Sequence, residues 1–176
     1  MYPFVRLAKE MWKFRKAKPL GLTDAHVSHH ICWPWDLDFW VELNNGRTLT
    51  LYDLGRTPLA MRTGMVTVLK REKWGMTVAG NSVRYRRRIR AFHRVEMVSR
   101  VIGWDRRFIY MEQSMWRKGE CTNHMLLRSA FTDGNGIVDM ARVTAAAGHE
   151  GPSPDLPDWV TAWSAADAER PWPPVR

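Results

Sequence analysis

The chain has 176 residues, 45% hydrophobic and 26% charged, which suits one domain with a sizeable core. Its net charge of +9 and pI near 10.1 leave three anionic partners in competition: nucleic acid, a membrane surface, or a polyanionic small ligand. No apolar run approaches the ~18 residues of a spanning helix, and no helix-turn-helix, zinc-finger or ribonucleoprotein pattern is visible. The start Met1-Tyr2-Pro3-Phe4-Val5-Arg6 lacks the apolar core of a secretory signal, and Cys32 and Cys121 stand alone, so a reducing, cytoplasmic setting is expected.

Residues 4–18 read as a basic amphipathic helix. Phe4, Leu7, Ala8, Met11 and Phe14 recur at helical spacing, with Arg6, Lys9, Lys13 and Lys16 between them. The spacing predicts a helix docked on the body, with a peripheral membrane contact as the competing reading. Pro19-Leu20-Gly21 ends it. Residues 25–33 read as a first strand. His26 and His30 fall on one of its faces and His29 on the other, short of the three converging ligands of a catalytic zinc, so no metal is expected.

The stretch from Trp35 to Arg47 then ends the extended segment and opens a helix. Acidic groups precede a helix start, where unpaired N–H donors and a partial positive charge collect. Asn44 or Asn45 can cap it, and Gly46 leaves the backbone bare. The central helix is expected over 46–57, buried on more than one face, with a break or kink at Pro58 and a short turn over 58–62. Asp53 and Arg56 are spaced for a structural ion pair.

Strands are expected over 65–70, 76–90, 94–104, 107–117 and 121–132, the last closed by the strong turn Asp133-Gly134-Asn135-Gly136. Arg84, Arg86, Arg88 and Arg90 would share one face of the second of these, with Tyr85, Arg87 and Ile89 on the other. Residues 149–157 read as a linker. Leu156, Trp159, Val160, Trp163 and Ala166 mark a C-terminal helix, and 171–176 are expected to fray. Composition and spacing alone imply α+β with an antiparallel sheet.

Asp36-Leu37-Asp38, then Leu43-Asn44-Asn45-Gly46-Arg47 and Asp53-Leu54-Gly55-Arg56, resemble the signature of hotdog-fold thioesterases of the 4-hydroxybenzoyl-CoA thioesterase type. The branch of thioesterase superfamily member six is the nearest in likeness, through residues 84–90 and 101–113 as well. The resemblance spans about 27–132. It implies one hotdog domain over 1–176: a basic helix (1–24), a core (25–147) of curved antiparallel sheet around a central helix, then a linker and C-terminal helix (148–176). It also implies hydrolysis of acyl-CoA to free acid and coenzyme A without a cofactor, by a homodimer or tetramer with sites between subunits, and no nucleic-acid partner.

The resemblance carries Asp38 over as nucleophile or general base, since it matches the second Asp of the motif. Backbone donors near Asn45, Gly46 and Arg47 would polarise the thioester carbonyl. Glu42 or Asn44 would place water. Arg47, Thr48, Arg84, Arg86 and Arg88 would bind substrate, the arginine row gripping coenzyme A phosphates. Two positions depart from the family pattern. Glu42 stands where histidine is usual before the Asn pair, and Thr48 where tyrosine is usual. These changes keep a second reading open, a non-catalytic acyl-CoA or acyl-ligand binder with a degraded site.

Overall fold

The computed structural model describes residues 2–174. Helix α1 (Phe4–Phe14) precedes strand β1 (His26–Ile31), and a short 3-10 turn, Pro34–Asp36, leads to the central helix α2 (Asn45–Arg62). Helix α3 (Met65–Glu72) follows, then strands β2 (Gly75–Tyr85), β3 (Arg94–Trp104), β4 (Ile109–Arg117), β5 (Glu120–Asp133) and β6 (Gly136–Ile137), and helices α4 (Met140–Ala146) and α5 (Asp158–Ala168). The strands form one antiparallel sheet in the order β1-β3-β4-β5-β2, with β6 beside β5. This is the expected α+β hotdog arrangement, a curled sheet wrapped on α2.

Helix α2 lies very close to the sheet. A Cβ placed on Gly55 would sit 2.5 Å from Ser99 Oγ and 2.7 Å from Met97 Sδ, so the contact needs glycine there. Gln113 Nε2 spans the gap, donating at 2.8 Å to both Tyr52 O and Ser99 Oγ. Leu51, Leu54 and Leu59 from the helix meet Met97, Met115, Met125 and Phe131 from the sheet in the main core. On the outer face, Val160 of α5 packs with Ile102, Tyr110 and Leu126.

Four expectations are corrected. Residues 65–70 are helical: Gly64 starts α3 in the left-handed conformation (φ 76°), and Met65 and Val68 bury one side at helical spacing, overriding their β propensity. Pro58 does not break α2, which continues to Arg62. Its ring is buried, and Arg62 is anchored through Lys18 O at 3.1 Å and His26 Nδ1 at 3.0 Å. The strand expected over 76–90 stops at Tyr85, because the Arg86 and Arg87 N–H groups both donate to Thr122 O, at 2.8 and 3.0 Å. Helix α1 docks, but turned from the expected face. Leu7 packs against the core and Glu10 is buried, while Phe4 is 70% exposed. Helix α4, capped by Asp139, was not anticipated.

Candidate functional site

The segment between β1 and α2 folds into a small hairpin. Leu37 and Leu43 bridge, the Asp38 N–H donates to Glu42 O at 2.8 Å, and the Asn44 N–H donates to Asp36 O at 3.0 Å. The tip displays Phe39, Trp40 and Val41 to solvent, with Val41 held at φ 60°. Asn44 caps α2, its Oδ1 accepting from the Arg47 N–H at 3.0 Å.

The two acids of the motif take different places. Asp36 is fully buried. Its Oδ2 accepts from Arg6 Nη1 at 2.7 Å and from the Trp33 N–H at 3.0 Å, and its Oδ1 accepts from Arg47 Nε at 2.7 Å. Burial pushes its carboxyl up, but the Trp33 N–H and the Arg47 and Arg6 guanidiniums outweigh it and hold the group below the usual range. Asp38 is half-buried. Its Oδ1 accepts from the Trp40 N–H at 2.9 Å and the Glu42 N–H at 3.4 Å, which leaves Oδ2 without a partner among the described residues.

Asp38 lines a recess of about 560 Å³ together with Glu42, Asn44, Asn45 and Thr48. Opposite them stand Tyr85, Arg86, Arg87, Arg88, Ile89 and Asn123. Glu42 pairs with Arg88 Nε at 3.0 Å, and Arg87 pairs with Glu120. At the helix start, the Gly46 N–H donates to its neighbour Asn45 Oδ1 at 2.6 Å and the Arg47 N–H is taken by Asn44. Among the described residues, the Asn45 N–H is the first-turn donor without a partner.

Most of the expected site residues therefore converge here: Asp38, Glu42, Asn44, Asn45, Thr48, Arg86 and Arg88. Three do not. Gly46 is outside the lining, and the Arg47 guanidinium is bound to Asp36 in an adjoining recess with Tyr2 and Trp35. Arg84 lies on the opposite sheet face from Tyr85, across from His124, in a groove with Ser82, Glu112 and Trp159. The arginine row is thus divided between two faces, since only Arg84 belongs to the strand. Asp53 pairs with Arg56 and accepts from Tyr2 OH at 2.9 Å, a structural tie between α2 and the start of α1. The His26 and His30 side chains are buried under α1 and His29 pairs with Glu96 at 3.4 Å. No group of three metal-ligating side chains converges among the described residues.

Sequence reasoning missed Asn123 and assigned Tyr85 to the face away from the site. Asn123 is buried at the floor, where its Oδ1 accepts a short hydrogen bond from Tyr52 OH and its Nδ2 donates to Thr122 Oγ1 at 3.3 Å. Burial drives the Tyr52 hydroxyl pKa far up, so it stays a donor. No local signal marked it, since Asn123 sits between Thr122 and His124 in the polar start of β5.

Known proteins share this fold and family. Residues 32–164 match the family model of the Thioesterase-like superfamily. Protein THEM6 of Xenopus laevis is 29% identical over 143 residues, 81% of this chain and 68% of that protein. Protein THEM6 of Drosophila melanogaster is 32% identical over 93 residues, 52% of this chain and 48% of that protein, so the match spans about half of the fly relative. Among solved structures, YbaW of Escherichia coli superposes with a TM-score of 0.65 at 13% identity, over 69% of this chain and 95% of its own. The DHNA-CoA thioesterase of Staphylococcus aureus gives 0.61 at 16%, over 82% and 91%. At these identities the two structures speak for the fold, and it is the match over 32–164 that places this chain in the thioesterase-like superfamily.

Proposed function

We propose that this protein hydrolyses acyl-CoA thioesters to free acid and coenzyme A. The observation that carries the reading is the Asp38 Oδ2, unpartnered among the described residues, in a recess shared with the α2 N-terminus and Arg86–Arg88. The acyl group enters the recess and the thioester carbonyl oxygen meets the Asn45 N–H at the positive end of α2. Asp38 Oδ2 takes a proton from water as the water oxygen bonds to the carbonyl carbon. The tetrahedral intermediate then expels coenzyme A as thiolate, which recovers the proton. Arg86 and Arg88, which line the same recess, would hold the phosphates of coenzyme A on this reading. No step calls on a metal or redox group.

The reading also takes the family's homodimer. Strand β2 is the last strand of the sheet and is exposed along almost its whole length, so its outer backbone groups are free to pair with a second copy.

A second reading, acyl-CoA binding without turnover, draws on two features. Glu42 occupies the family's histidine position and is paired with Arg88, and the Gly46 and Arg47 N–H groups are already satisfied. Thiol release from short, long and aromatic acyl-CoAs separates the two. Hydrolysis predicts turnover of at least one substrate and a loss of about 100-fold or more in Asp38→Asn with folding intact. No release from either protein, with a melting temperature raised by acyl-CoA, establishes the binder. No response at all overturns both.

A further inference from the structure

The antiparallel register brings one set of strand ends together. Ile31 lies across from Arg94, Arg117 across from Glu120, and Tyr85 across from Asn123. The loops at this end carry large apolar side chains in water. Phe92 is 64% exposed and Trp35 67%. Trp33 joins them, stacked on Trp35 at 5.3 Å and edge-on to Phe92 at 6.1 Å. An open groove of about 740 Å³ continues this surface between Trp33, Trp35, Phe4 and Val5. Burying such side chains in the molecule was possible only at the cost of turning these loops inward, and the chain does the reverse. The Phe92 N–H donates to Cys32 O at 2.6 Å and the Cys32 N–H to His93 O at 3.0 Å, which pins Phe92 outward. It is held there at φ 63°, a left-handed conformation costly for an aromatic residue.

Cations ring this apolar surface. Arg90, Arg117 and Lys118 gather around His93, and none of the three has an acidic partner among the described residues. Exposed aromatic rings beside unpaired cations match the two parts of an anionic bilayer surface, the interfacial belt and the charged headgroups. A second copy fits less well, because a two-fold contact here would set like cations against each other. The open edge β2 also lies across the sheet from β1 and its Phe92–Trp33 neighbours.

We infer that this end of the molecule docks on a bilayer containing anionic lipid, with Phe92, Trp35 and the adjoining groove entering the headgroup layer and Arg90 and Arg117 paired with lipid phosphates and carboxylates. The recess that holds Asp38 is lined by Tyr85, Ile89 and Asn123, so it opens at this same end. A docked molecule would present it beside the bilayer.

Co-sedimentation of the full chain with vesicles tests this. The protein is expected to sediment with phosphatidylcholine–phosphatidylserine vesicles and to stay in solution with phosphatidylcholine alone. Arg90→Gln with Arg117→Gln is expected to weaken binding about 25-fold, or fivefold for each cation. Phe92→Asn with Trp35→Ser is expected to abolish it, at a melting temperature no lower than wild type by more than a few degrees, since Asn accepts the left-handed conformation. Failure to bind anionic vesicles, or binding that both variant pairs leave unchanged, overturns the inference. So does a change of oligomeric state on gel filtration in the aromatic variant, which assigns the face to a second copy. None of the four residues lines the Asp38 recess. Hydrolysis of a short, soluble acyl-CoA without vesicles therefore reads the proposed activity separately.

Discussion

Arg6 donates to Asp36 at 2.7 Å, so helix α1 is fastened to the segment that presents Asp38. The same carboxylate accepts from Arg47 in the first turn of α2 at 2.7 Å. One buried acid thus fixes three pieces of chain relative to one another, two residues before the acid that faces the recess.

Asp36→Ala is expected to destabilise the fold by about 3 kcal/mol, because it removes the buried carboxylate that neutralises the largely buried guanidiniums of Arg6 and Arg47. Chemical denaturation measures this. Asp36→Asn should also flatten the acid limb of the stability curve. The carboxyl is depressed in the folded state, so its contribution is complete above the unfolded value near 4 and fades as pH falls through the folded value.

His26 and His30 tilt the same curve in the same sense, at higher pH. Burial first, then the charge of Arg62 on His26 and of Arg6 on His30, lowers them to about 4 and about 3. Both are neutral in the fold, whereas the unfolded chain takes up their protons below about pH 6.5. Stability is therefore expected to fall between pH 6.5 and 4, at up to about 1.4 kcal/mol per pH unit for each histidine. Melting temperatures across this range, with His30→Leu losing part of the slope, check the sign.

Gly55→Ala is expected to destabilise by about 2 kcal/mol although alanine is the better helix former. The added methyl meets Ser99 Oγ and Met97 Sδ, and Ser99 is held by Gln113. Thermal melts measure the loss. In a Met97→Ala background, itself less stable because Met97 is fully buried, the added cost of Gly55→Ala should be smaller, since space opens on that side.

Arg88→Ala and Arg84→Ala should separate cleanly. Arg88 lines the Asp38 recess and Arg84 faces the other side of the sheet. On the proposed reading Arg88→Ala raises KM for acyl-CoA about tenfold, the worth of a charge-assisted hydrogen bond, whereas Arg84→Ala leaves it unchanged. Initial-rate kinetics on both variants decide this.

Apart from α3 and α4, the order of elements was legible because it rests on local chemistry. The breaker Pro19-Leu20-Gly21, the alternation in β3 and the turn Asp133-Gly134-Asn135-Gly136 act over a few residues. Asn44 as the cap of α2 and the convergence of Asp38, Glu42 and Asn45 follow from adjacency around one helix start. Tertiary structure alone decided the rest. The apolar residues of α3 read as a strand until packing of Met65 and Val68 chose the helix. Arg84 parted from Arg86 and Arg88 because Thr122 O captures the backbone where β2 ends. Asn123 entered the recess through the pairing of β5 with β2, contacts made across tens of residues that no local pattern encodes. A side chain's chemistry is written in the sequence, but its neighbours across the sheet are set by register, and register is fixed only when the whole core closes.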